Sequence, residues 1–425
     1  MSTVLRGGRI IDSTGERSGD VVVGDDGRVA AVGSDLSADV VVDAGGCVIA
    51  PGLVDLHVHL REPGREEAET IETGSRAAAL GGYTAVVAMP NTEPAIDCAA
   101  VVREVHDLGR RAALVDVHAA GAITVGRKGE QLAPLAEMAA LGVRIFTDDG
   151  NGVQDVRLMR RALEYASGLG VTMGQHCEDE GLSAGGHMHE GEWSSKLGVP
   201  GIPAEAEELM VMRDIALARL TGARVHFQHL STAGSVAMVR AAKAGGLAVS
   251  GEATPHHFTL TDKCCASYDP VFKVNPPLRT DDDVVAVRVG LGDGSLDAIA
   301  TDHAPHAQEA KEAAFDEAPP GMLGLETALA LAITNLGIPI ADVLALCSWR
   351  PAALAGLAGA HGTPVAAGNP ANLCVFDPTA TWTVDAAALA SRSRNTPFHG
   401  MTLTGRVRHT FLWGRATVID GEAQR

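Results

Sequence analysis

Hydrophobic and polar positions follow two rhythms along the chain. From about residue 54 to residue 300, short apolar runs begin near Val54, Thr84, Ala113, Val143, Val171, Arg224, Leu247 and Asp297. Between them lie stretches of helical periodicity, from Thr70 to Leu80, Val101 to Arg110, Val156 to Leu169, Ala204 to Leu220 and Ser235 to Lys243. Eight strands, each followed by a helix or a long loop, predict an α/β fold of the (β/α)8 TIM-like barrel type rather than an open doubly wound sheet. No Gly-x-Gly-x-x-Gly follows the first strand, which weakens a nucleotide-binding reading.

The ends are different. Runs such as Val21 to Val23 and Val29 to Val32 are separated by the turn Gly24-Asp25-Asp26-Gly27, and Asn372 to Asp377 and Val407 to Trp413 again read as strands. Two β-rich ends flanking an α/β middle predict a composite β-sandwich made from both termini, residues 1–53 and 363–425, beside a barrel spanning 54–362.

Composition narrows the function classes. With 425 residues, 46% hydrophobic and 20% charged, the chain has material for one large domain and a satellite. A formal charge of -19 argues against nucleic acid or an anionic membrane surface as partner. The first residues lack a charged segment followed by an apolar core, and no apolar run reaches bilayer length, so a cytoplasmic protein is expected. Seven cysteines without a Cys-x-x-Cys pair predict free thiols rather than disulfides or a thiolate metal site.

The chemistry gathers where a barrel keeps it, at the carboxyl ends of the strands. The run Val54-Asp55-Leu56-His57-Val58-His59-Leu60-Arg61 sets two histidines at i and i+2, on one face of a strand. Alone, such a pair is more often an ordinary half-buried strand face. Later strands supply partners: Asp149 in Thr147-Asp148-Asp149-Gly150, His176 in Gln175-His176-Cys177, His229 in Phe227-Gln228-His229, and Asp302 in Ala300-Thr301-Asp302-His303. Four imidazoles and two carboxylates have the composition of a hydrolytic zinc centre, in which a carboxylate can bridge two ions. Each residue also has a plainer reading: His176 or His229 as a core histidine bonded to a carbonyl, Asp149 as a helix cap. His118, His187, His189, His226 and His257 are assigned no role.

Several stretches together resemble dihydroorotase of the longer, class I type. They are Val54 through Gly64, Met89-Pro90-Asn91-Thr92, Thr147-Asp148-Asp149-Gly150 and His176-Cys177-Glu178-Asp179. Lys273-Val274-Asn275-Pro276-Pro277-Leu278-Arg279, Ala300 through His306 and Pro320 through Thr327 extend the similarity, which runs in order from about residue 4 to the end. The resemblance implies zinc-dependent, reversible hydrolysis of (S)-dihydroorotate to N-carbamoyl-L-aspartate, in pyrimidine biosynthesis. It further implies that His57, His59 and Asp302 hold one zinc, that His176 and His229 face a second, and that Asp149 bridges them, with one or two ions per chain. Asp302 would also be the general acid/base. Arg61, Asn91 and His306 would hold the substrate carboxylate, and Asn275 the ring.

One departure from wider relatives is informative. Hydantoinases, allantoinases and several dihydroorotases bridge their metals with a carboxylated lysine on the fourth strand, and this chain has no lysine between Lys128 and Lys196. Asp149 is the carboxylate that would replace it, which disfavours a hydantoinase or allantoinase. The polar segment 307–320, ending in Pro319-Pro320-Gly321, reads equally as a lid or as a passive loop. The resemblance also implies a homo-oligomer and leaves room for an aspartate transcarbamoylase partner. A purely non-catalytic partner subunit would be expected to have lost ligands that are all present here.

Overall fold

Why eight short apolar runs become one body is visible in their pairing. The computed structural model describes residues 1–425, and its barrel strands are β1 (Leu53–Val58), β2 (Tyr83–Ala88), β3 (Asp116–Ala119), β4 (Ile145–Phe146), β5 (Thr172–Gln175), β6 (Arg224–Phe227), β7 (Val249–Ala253) and β8 (Ala298–Ile299). Parallel ladders join β1 to β3 in order and β4 to β8 in order. Two single bridges, Gly121 with Phe146 and Val58 with His303, close the gaps between these groups. Closure sets the ends of β1 and β8 side by side, and the His59 N–H donates to the His303 carbonyl at 2.9 Å. The third strand starts later than its apolar run. Ala113 adopts φ 53° and closes the preceding helix on the Gly109 carbonyl, so pairing begins only at Asp116.

The outer helices are α1 (Ile71–Leu80), α2 (Ala99–Ala112), α3 (Leu135–Ala140), α4 (Val156–Leu169), α5 (Glu205–Thr221), α6 (Ala233–Ala244), α7 (Asp281–Asp293) and α8 (Ala328–Asn335). Local chemistry fixes several starts. Thr70, Asp155, Thr232 and Thr280 each accept a hydrogen bond from the N–H three residues on, a cap worth about 1 kcal/mol each.

The two termini form one sheet, as expected. Strand Val48–Pro51 lies between Thr3–Asp12 and Leu373–Thr383, and the sheet continues through Thr402–Leu412 and Arg415–Ile419 on one side and Gly15–Val23 and Val29–Gly33 on the other. Period-two alternation gives this sheet two apolar faces. Ile49, Leu373 and Val375 point into a small core with Leu5, Ile10 and Phe411. Val48, Ala50, Cys374 and Phe376 belong to the large core of the barrel and its helices. Sheet and barrel are therefore fused by apolar burial, which supplies roughly 25 cal/mol per Å² of area removed from water. A single residue, Gly52, separates strand Val48–Pro51 from β1, and a Cβ there would sit 2.2 Å from Thr84 Cγ2. Only glycine lets the chain pass so close.

Candidate metal centre

Strand alternation brings His57 and His59 to the inside of β1, and the neighbouring strand ends bring the rest. His59 Nε2 lies 2.9 Å from Asp302 Oδ1, and His57 Nε2 lies 3.3 Å from Asp149 Oδ1 and 3.5 Å from Asp302 Oδ1. His176 Nδ1 and His229 Nε2 approach Asp149 Oδ1 at 3.7 and 3.6 Å. All six residues expected as ligands are buried and meet at one point. Asp149 belongs to two donor groups, one with His57 and His59 and one with His176 and His229, whose donor atoms lie within 4.8 Å of one another. The adjacent aspartates divide the labour. Asp148 accepts from the backbone N–H groups of Ile123 at 2.8 Å and Thr124 at 3.0 Å, fixing the loop after β3, while Asp149 turns inward.

The donor set fits a divalent cation. His57 Nε2 and Asp149 Oδ1, 3.3 Å apart and turned into the centre, are buried without a hydrogen-bond partner, while His176 Nδ1 and His229 Nε2 face each other beside them at 2.8 Å. Such atoms ordinarily cost about 1–3 kcal/mol each, and imidazole with carboxylate is a donor chemistry that zinc accepts. Electrostatics point the same way. Burial works to raise the Asp149 carboxyl, but His57, His176 and His229 outweigh it and hold the group well below the usual carboxylate range. Asp302 is held low for the same reason, by His57 and His59 against its burial. Both are anionic and ready to ligate.

Behind the ligands stands a pair that sequence reasoning missed. Glu252, wholly buried on β7, accepts from His57 Nδ1 at 2.9 Å through Oε1 and from His226 Nε2 at 2.9 Å through Oε2. Burial would raise this carboxyl, yet the two imidazoles bring it down to about 2. It fixes the His57 tautomer that leaves Nε2 free to face the centre. His226, left without a role above, is the second anchor of Glu252, and Ser250 Oγ holds its other nitrogen at 2.8 Å. A carboxylate inside the run Val-Ser-Gly-Glu-Ala was the available signal. Glu252→Gln is expected to weaken metal affinity about 10- to 100-fold, measured by competition with a chromophoric chelator; an unchanged affinity would rule out this positioning role.

The expected substrate contacts reach the same cavity, of about 280 Å³. Arg61 is buried with φ 62°, and its Nε donates to the Pro305 carbonyl at 3.0 Å, which leaves the terminal guanidinium nitrogens for a ligand. Burial and Arg65 bring its pKa down to about 10, so it remains a cation. Asn91 Oδ1 is 2.8 Å from His59 Nδ1, so this residue orients a ligand as well as lining the cavity. Asn275 Oδ1 is buried and unpartnered. His306 lines the cavity too, but its Nε2 is 2.8 Å from the Pro320 carbonyl. Burial, with Arg61 and Lys311 nearby, lowers its pKa to about 2, so the ring is neutral and its N–H is spent on the segment above. Arg65 and Arg127, unforeseen in the sequence, also line this space.

Segment 307–320 covers the cavity edge with Pro319 and Pro320. It is fastened from beneath. Lys311 Nζ donates to the carbonyls of Pro270 at 2.9 Å and Pro319 at 2.8 Å, and Lys273 Nζ to that of Asp316 at 2.9 Å. Gly321, at φ 142°, lets it approach His306, whose Nε2 would lie 2.7 Å from a Cβ. No helix of the chain is long and apolar enough to cross a membrane.

Known proteins resemble this chain along its whole length. A family model described as "Dihydro-orotase-like" matches residues 46–235. The dihydroorotase of Streptomyces coelicolor is 50% identical, over 99% of both chains. That of Mycobacterium tuberculosis is 51% identical, again over 99% of both. Among solved structures, an L-hydantoinase (dihydropyrimidinase) from Arthrobacter aurescens has a TM-score of 0.90 at 25% identity, covering 100% of this chain and 97% of its own.

Proposed function

Because the chain belongs to the dihydroorotase family, we propose that its barrel reversibly hydrolyses (S)-dihydroorotate to N-carbamoyl-L-aspartate. One observation carries the reading: a buried guanidinium suited to a carboxylate, Arg61, opens into the same cavity as the His/Asp metal centre. Dihydroorotate is a cyclic amide bearing one carboxylate, and both halves of its chemistry find a counterpart there. The absence of lysine between Lys128 and Lys196 supports this over the hydantoinase reading that the shared fold alone would allow.

We assign the metal as zinc, one or two ions per chain, held by His57, His59 and Asp302 and by His176 and His229, with Asp149 between them. A bound zinc ion would polarise the ring carbonyl and lower the pKa of its water to about 7. The chain's own groups do the rest. Arg61 takes the substrate carboxylate with its terminal nitrogens, and the Asn91 amide N–H₂, left over from the Oδ1 contact to His59, adds a donor. Asn275 Oδ1 accepts from a ring N–H. His306 stands beside Arg61 and donates to the carboxylate by letting go of Pro320, because with its proton on Nε2 the Nδ1 is an acceptor that a carboxylate repels. Asp302 accepts the proton from the attacking water and delivers it to the departing ring nitrogen, so that one C–O bond forms as one C–N bond breaks. In the reverse direction the same oxygen returns the proton to water.

The test is a comparison of substrates. The metal-loaded protein is expected to act on dihydroorotate at least about 10³-fold more efficiently than on 5,6-dihydrouracil, the same ring without its carboxylate. Equal kcat/KM values on the two would overturn the assignment in favour of a hydantoinase-type enzyme. Seven cysteines without a disulfide support a cytoplasmic setting. A homo-oligomer and an aspartate transcarbamoylase partner rest on the resemblance alone.

A further inference from the structure

We propose that Asp116, His118 and His361 form a second metal site, for a zinc-class divalent cation, at the opposite end of the barrel from the catalytic cavity. Asp116 opens β3, His118 follows on the same strand face, and His361 lies in the connection to the terminal sheet. One donor atom from each lies within 4.8 Å of the others. Two imidazoles and a carboxylate are also the donor composition of each half of the catalytic centre.

The surroundings hold these donors in place. Asp116 Oδ2 accepts from Trp413 Nε1 at 2.8 Å and lies 2.9 Å from His361 Nε2, a hydrogen bond that an arriving cation replaces, with its proton released to solvent. The other nitrogen of His361 meets Thr84 Oγ1 at 3.0 Å, which fixes the ring. His118 is the unexplained member: its Nε2 is buried with no hydrogen-bond partner. Burial, with His361 beside it, brings its pKa down to about 4, so the ring is neutral and has a lone pair to give. A cavity of about 620 Å³, lined by Asp116, His118 and Trp413, opens onto the cluster and gives an ion a way in. The arginines of that cavity are turned elsewhere, Arg110 to Asp107 and Arg144 to the carbonyls of Ala139 and Val143. The overall charge of -19 favours cation entry. Three protein donors leave room for solvent to complete a tetrahedral set.

An ion here would tie β3 to the connection that carries the terminal sheet. It would stabilise the folded chain by mass action without touching the catalytic residues. The test dialyses the metal-loaded protein against excess Zn²⁺, with wild type and His118→Ala side by side. Wild type is expected to hold one zinc more per chain than the variant, while both turn over dihydroorotate equally, which certifies an intact fold and catalytic centre. His118→Gln, closer in volume, replaces the alanine variant if that fails to fold. In parallel, Co²⁺ added to protein that carries its catalytic metal but has not met the excess Zn²⁺ should quench Trp413 emission in a saturable way, and His118→Ala and Trp413→Phe should abolish that phase. Equal zinc content in wild type and variant, with no saturable quenching, overturns the proposal.

Discussion

Asp302→Asn is expected to lose about 10³-fold or more in kcat, because the carboxylate proposed to move the proton is replaced by an amide of the same size. The geometry behind this expectation is the approach of Asp302 Oδ1 to His59 Nε2 at 2.9 Å and to His57 Nε2 at 3.5 Å. Asp149, His57, His59, His176 and His229 stay in the variant, so metal is retained to at least one ion per chain, and the loss belongs to proton transfer as well as to a missing ligand. Two measurements check it on one preparation: metal content by atomic absorption, and kcat on dihydroorotate in both directions. A variant with metal and a kcat within tenfold of wild type would remove Asp302 from the proton path.

Arg61→Ala is expected to lower kcat/KM for dihydroorotate about 10²- to 10³-fold, within the range of about 2–5 kcal/mol lost when one member of a buried charge pair is deleted. The loss should fall mostly on KM. Arg61→Lys is expected to recover only part of it, because an ammonium cannot present the two parallel N–H groups that a carboxylate accepts. Backbone strain does not confuse the result, since φ 62° already suits a small residue no worse than arginine. The internal control is 5,6-dihydrouracil, on which the variants should match wild type. A parallel fall on both substrates would mean that Arg61 shapes the cavity rather than reading the carboxylate.

Much of this was legible along the chain because it rests on local period. The i, i+2 spacing of His57 and His59 survives any detail of packing, and the eight apolar runs predict the barrel because each lies between recognisable helices. Strand edges were less legible: Ala113 reads as strand because it is apolar, whereas the left-handed helix end that claims it depends on the neighbouring Gly109 carbonyl. Partnerships across large sequence distances were invisible. Nothing local pairs Glu252 with His57, or joins Asp116 to His361 and Trp413; only barrel closure and sheet docking do so. His306 shows the same limit from the other side, since the sequence aligns it with carboxylate recognition while the fold has given its Nε2 to Pro320.

The strand Val48–Pro51 pairs with Leu373–Phe376, from the far side of the barrel in sequence, and only Gly52 separates it from β1. On a ribosome this strand emerges long before its partner exists. Through the synthesis of the whole barrel, the edge of Val48–Pro51 that Leu373–Phe376 will cover stays open to any other strand. Completion of the first barrel strand's foundation is therefore a late event, a contact of very high order that slows folding. A nascent chain of this protein should need protection at that edge until synthesis reaches Leu373–Phe376, in its last eighth.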